Sequence, residues 1–199
     1  MLMFSLYEEL NDEHDVNGTK YPINVTFDNI LNLIDMLKEK KLSDRLKLDF
    51  AIRMLFGKDT ELVKLSGEEQ LEIFNCIFEK YVMQGQVEKS VKYDRQGNEM
   101  PSYEADTKQN YSLKYDAEYI YASFVQAYGI DLIEYQGKLH WFKFKALLGG
   151  LPEETKFRQV LAIRTWEKPS SEKNAHEKEM KKLQEIYALP EDEEESEVD

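Results

Sequence analysis

The chain has 199 residues, 42% of them hydrophobic and 12% aromatic, enough apolar material for one ordinary domain or two very small ones. Charged residues make up 33%, with a formal net charge of −13, and the cations are interleaved with acids, as in Lys38-Glu39-Lys40-Lys41. Such a surface repels nucleic-acid phosphates and anionic membranes, so neither is an expected partner.

The N-terminus has no basic start and no long apolar run, and no segment approaches the roughly 20 apolar residues that a membrane span needs. A cytoplasmic protein is expected. The single cysteine, Cys76, lies in the apolar run Leu71 to Phe78 and reads as a buried core thiol.

In chain order, Asn17-Gly18 is a turn signal, and residues 21–27 alternate well enough for one short strand or extended arm starting near Pro22. Phe27, Ile30, Leu31, Ile34 and Met36 or Leu37 recur at helical spacing. Ser43 caps a second helix carrying Leu46, Phe50, Ile52, Met54 and Leu55 and stopped at Gly57. Ser66-Gly67-Glu68-Glu69 has the spacing of a capping box and opens a third helix running through Ile73, Ile77 and Tyr81.

The stretch 85–110 is polar, contains Gly85, Gly97 and Pro101, has no periodic apolar face, and reads as a flexible linker. Asp116 then caps a helix to Tyr128, with Gly129 as its left-handed stop. Residues 139–148 form another helix, ended by Gly149-Gly150, and Pro152-Glu153-Glu154 suits the first turn of a helix through Trp166. Residues 171–187 give a solvated helix with a ridge of Met180, Leu183 and Tyr187; the last nine residues hold seven acids and are expected to be disordered.

The expected architecture is mainly α, with small helical bundles and at most one short N-terminal strand. Its parts are an N-terminal helical domain (1–84), a linker (85–110), a C-terminal helical region (111–169) and a charged helix with an acidic tail (170–199).

Catalytic signatures are missing: there is no glycine-rich phosphate loop, no HExxH and no paired CxxC. No enzyme activity, cofactor or metal is therefore expected. His14, among Asp12, Glu13 and Asp15, reads as a solvated histidine, and His140 as a packing or capping one. Asp131, between apolar neighbours, reads as a turn or cap acid.

The apolar load on residues 116–128 exceeds one helix face. Tyr119, Tyr121, Phe124 and Tyr128, with Trp141 and Phe144 downstream, are the candidate partner-binding residues.

The run Tyr115 to Leu132, and the run Leu139-His140-Trp141-Phe142-Lys143-Phe144-Lys145-Ala146-Leu147-Leu148-Gly149-Gly150-Leu151-Pro152 with Ile163-Arg164, resemble the gp-fifteen family of tail-module proteins in siphophages and prophages of Gram-positive bacteria. The resemblance covers about residues 4–187. It implies a role in tail morphogenesis, because such genes lie just before the tape-measure gene, where tail-assembly chaperones are encoded. The implied partners are the tape-measure protein or other phage tail proteins, and self-association is compatible with the sequence. A structural component of the tail is the alternative. The family supplies no catalytic residues.

Overall fold

A computed structural model describes residues 6, 7, 9, 10, 12–83, 110–168 and 174–190. Apart from Asn110, the expected linker lies outside the described residues, as does the acidic tail. The described chain is mainly α, with seven α-helices and a two-stranded antiparallel hairpin.

By their contacts, the described residues of Met1–Lys89 and Ile133–Leu147 form one compact unit, and those of Ser90–Leu132 and Leu148–Asp199 a second. Chain order alone groups 133–147 with the C-terminal helices; the contacts group it with the N-terminal ones.

The first unit opens with β1 (Glu13–Val16) and β2 (Thr19–Pro22), paired Glu13 to Pro22 through Val16 to Thr19. Asn17 at φ 54° and Gly18 at φ 81° make the tight turn between them. Two left-handed residues in sequence match the twist of a hairpin, and Asn and Gly tolerate that conformation best. The hairpin therefore replaces the single strand expected over 21–27. Pro22 ends β2, and the following residues are held otherwise: the Asn24 amide donates to the Leu55 carbonyl and the Phe27 amide to that of Leu139.

Three helices follow. Helix α1 (Phe27–Lys38) buries Phe27, Ile30 and Leu33. Asp28 in its first turn and Lys38 in its last complement the helix dipole. Helix α2 (Asp44–Phe56) starts at Ser43, whose hydroxyl accepts from the Leu46 amide, and stops at Gly57 at φ 96°. It buries Ala51, Ile52 and Leu55, while Leu46 and Phe50 stay exposed.

Helix α3 (Gly67–Phe78) has the full capping box: the Glu69 amide donates to Ser66 Oγ and the Ser66 amide to the Glu69 carboxylate. A cap of this kind contributes about 1 kcal/mol. A π turn, Glu79–Met83, carries α3 on to Tyr81. Buried Gln70, Ile73, Ile77 and Tyr81 mark the inward stripe. Cys76 lies about 100° of helix rotation from Ile77 and is exposed, which corrects the expectation of a core thiol.

The segment 133–147 closes this unit. The Trp141 amide donates to the Val25 carbonyl at 2.9 Å, and Thr26 and His140 form an antiparallel bridge. Helix α5 (Trp141–Gly149) then stacks Phe144 on Phe27, with centroids 5.0 Å apart and planes 16° apart. Full burial of such aromatic and aliphatic side chains stabilises by about 1.5–3 kcal/mol each.

In the second unit, α4 (Ala117–Tyr128) ends at Gly129 at φ 65°; the Gly129 amide donates to Val125 and the Ile130 amide to Phe124, closing the helix as expected. Helix α6 (Lys156–Arg164) starts later than the sequence suggested. Pro152, Glu153 and Glu154 form a turn closed by the Thr155 amide on the Pro152 carbonyl, and Thr155 spends its hydroxyl on that same carbonyl. The missing cap comes from another helix: buried Ser123 of α4 accepts from the Phe157 amide at 3.0 Å while donating to the Tyr119 carbonyl at 2.7 Å. Helix α7 (Asn174–Ile186) packs on α6.

Candidate functional site

Residues 117–128 form one helix, but its aromatic side chains divide by depth. Phe124 is 0% exposed; Tyr119, Tyr121 and Tyr128 are half-buried. Each tyrosine has a distinct neighbour. Tyr121 donates its hydroxyl to Asp131 at 3.0 Å, so Asp131 is an acceptor across a turn. Tyr128 meets the Phe124 ring edge-on at 5.7 Å. Tyr119 meets Tyr187, the residue just past α7, edge-on at 6.0 Å. Trp141 and Phe144 are buried and stacked on each other in the first unit.

The tyrosine face of α4 continues onto α6 and α7. Lys156 Nζ lies 4.5 Å from the Tyr187 ring centroid and 5.7 Å from that of Tyr119, and donates to the Tyr187 hydroxyl at 2.6 Å. A cation over phenol faces gains from the ring quadrupole. Beside it, Arg164 grips Asp116 through both oxygens at 2.7 Å and donates to the Tyr187 and Asn110 carbonyls. Asp116 also accepts from the Ser112 amide, and its side chain makes no cap bond to α4. The expectation of an N-capping aspartate is thus corrected: the same carboxylate anchors an arginine 48 residues away.

Gln184 completes this surface. Its side-chain amide donates to the carbonyls of Trp166 at 2.9 Å and Ile163 at 3.1 Å, at the C-terminal end of α6. Sequence reasoning chose Tyr119 but missed Lys156, Arg164, Gln184 and Tyr187 as its companions. The signal available was the spacing of Met180, Leu183, Gln184 and Tyr187, which puts all four on one helical stripe.

The first unit holds a separate polar cluster. His140 is buried, its Nδ1 accepting from the Phe142 amide at 2.9 Å and its Nε2 standing 3.1 Å from Asp12 Oδ1. With Nδ1 accepting from the Phe142 amide, Nε2 is the ring nitrogen that donates to the Asp12 carboxylate. Tyr81 donates to the same oxygen at 3.2 Å; burial, then the charge of Asp12, pushes its phenol pKa up, so it stays a donor. His140 is therefore a capping histidine at the start of α5, as its sequence suggested. Asp12, His140, Ile23, Val25, Lys138 and Lys143 line a shallow cleft of about 250 Å³.

His14 packs against Phe56, with ring centroids 6.5 Å apart and planes tilted by 56°, and is partly buried, so the solvated reading is corrected to a packed one. Among the described residues, no group of three or more His, Cys, Asp or Glu side chains is arranged to hold a metal ion. No helix among them is long and apolar enough to cross a membrane.

The family model described as Bacteriophage Gp15 protein matches residues 6–189. The chain belongs to this family. The match takes in both units, including the α4 tyrosines, the Asp116–Arg164 pair and the α7 anchors. As a member of the Gp15 family, the chain is a phage-associated structural or assembly protein. No curated protein and no solved structure matches it.

Proposed function

We propose that this chain is a tail-assembly factor, a chaperone that binds the tape-measure protein while the phage tail is built, and that it works by binding and not by catalysis. The observation that carries the reading is membership of the Gp15 family across nearly the whole chain. The fold is compatible with it: helical, strongly acidic, and presenting half-exposed tyrosines on α4. A tape measure is a long helical chain rich in apolar residues. A partner that keeps it dispersed needs a solubilising charge and a surface that accepts amphipathic helices. The host cytoplasm is where tails are assembled, so the chain acts there.

The test is co-expression with the neighbouring tape-measure protein, followed by affinity capture from the cleared lysate. Co-purification with a tape measure that is insoluble alone is the expected result. Failure to co-purify, with the tape measure insoluble in both cases, sinks the proposal. The second reading, a structural tail component, shares the family observation. Mass spectrometry of purified virions separates them, because a chaperone leaves before the particle is complete.

A further inference from the structure

We infer that α7 is a resident occupant of a helix-receiving seat on α4 and α6, and that an amphipathic helix of a client takes the same seat by displacing it; this rests on the chaperone reading above.

The seat is polar where it grips. Gln184 donates to the carbonyls of Ile163 and Trp166 at and just past the C-terminal end of α6, the Ile163 carbonyl also accepting from the Trp166 amide. Lys156 holds the Tyr187 hydroxyl, and Arg164 the Tyr187 carbonyl. Tyr119 supplies an aromatic edge beneath Tyr187. The rest of the helix adds the Lys168–Glu177 ion pair and an edge-on Trp166–His176 contact at 5.9 Å but closes little apolar area: Met180 and Leu183 are only half-buried, and Ile186 is 71% exposed. Hydrogen bonds that water can replace contribute modestly to net stability. A helix held mainly by them, with little apolar area closed, belongs to the part of a structure that opens most readily.

The seat also specifies what it takes. Lys156 and Arg164 meet Tyr187 just past the C-terminal end of α7, the negative end of the helix dipole. The occupant that fits is thus a helix presenting its C-terminal end to two cations. It carries an amide side chain and an aromatic three residues apart, preceded by apolar residues one turn back, the pattern of Met180, Leu183, Gln184 and Tyr187. While α7 is seated, Tyr119 is partly covered by Tyr187 at its end; when α7 leaves, Tyr119, Lys156 and the carbonyl end of α6 become one continuous surface.

The experiment uses the full chain and the full chain carrying Gln184→Ala and Tyr187→Ala together. The probe is a fluorescent peptide of residues 174–190. Fluorescence anisotropy is expected to show the peptide binding the double variant about tenfold or more tighter than wild type, whose tethered α7 competes at high effective concentration. Equal binding to the two chains, or none to the double variant while its other helices persist by circular dichroism, overturns the seat. So does loss of the whole fold in the double variant, which would make α7 integral to the unit.

A second arm co-expresses each chain with the tape-measure protein. Greater capture by the double variant is expected. Capture equal to wild type overturns displacement by the client and leaves the chaperone reading intact. Capture by neither chain removes the chaperone reading, and the client part of this inference with it.

Discussion

Arg164 and Asp116 form a fork-to-fork ion pair, two bonds of 2.7 Å each, with side chains only 10% and 1% exposed. It ties the start of α4 to the end of α6. Breaking one half of such a pair leaves an uncompensated buried charge. Arg164→Ala is expected to lower stability by about 3–5 kcal/mol, read from urea midpoints. Arg164→Lys should recover only part, because an ammonium cannot make the planar fork. Full recovery by Lys would show that charge alone matters there.

His140 offers a test of helix capping. His140→Asn keeps a side-chain acceptor near the Phe142 amide, whereas His140→Ala leaves that amide without its partner and Asp12 with Tyr81 alone. The alanine variant should be less stable than the asparagine variant by about 1 kcal/mol. Thermal melts of the two compared with wild type decide it, and equal melts would remove the capping role.

His14 contributes a pH response to the hairpin. Burial first, then the positive charge of Lys80, hold its pKa below the ordinary 6.5, with Asp15 opposing. The folded chain therefore favours neutral His14 more than the unfolded chain does. The associated stability is fully present above 6.5 and is lost as pH falls through the lower folded value. Melting temperatures on either side of that window, compared with those of His14→Gln, isolate the effect: the variant should lose less stability on acidification than wild type. Parallel pH profiles would assign the response to other groups.

On α4, depth should separate packing from recognition. Phe124→Ala is expected to cost about 3–5 kcal/mol, as a fully buried phenylalanine does. Tyr121→Phe removes one hydroxyl bond to Asp131 and should cost about 1 kcal/mol. Tyr121→Ala should weaken tape-measure capture more than Tyr121→Phe does. Capture unaffected by Tyr121→Ala in a folded chain would place the client surface away from this residue.

Cys76 gives a direct check on the phase of α3. In the folded chain its thiol should react with an aromatic disulfide reagent as fast as in denaturant to within about tenfold, since exposure governs access. Protection by several orders of magnitude would mean the inward stripe runs through Cys76 instead of Ile77.

What the sequence determined by itself was local. Ser43, Ser66, Gly57 and Gly129 act within a few residues of themselves, through one hydroxyl or one left-handed backbone angle, so the helices they bound were legible from spacing alone. The Asn17-Gly18 turn was equally local, but it needed both flanking strands to be recognised. Tertiary structure decided wherever one group could serve two partners. Asp116 could cap its own helix or hold a guanidinium; the charge and fork of Arg164 outcompete a single amide. Thr155 turned its hydroxyl back to Pro152, and Ser123 from another helix supplied the cap. Whether Cys76 or Phe124 faces inward depended on which side of each helix met a neighbour, and periodicity gives the stripe without naming the one buried deepest. The seat of α7 is the extreme case: Lys156, Arg164, Gln184 and Tyr187 are unremarkable charged and polar residues until α4, α6 and α7 are folded against one another, because their bonds join groups that no sequence spacing brings together.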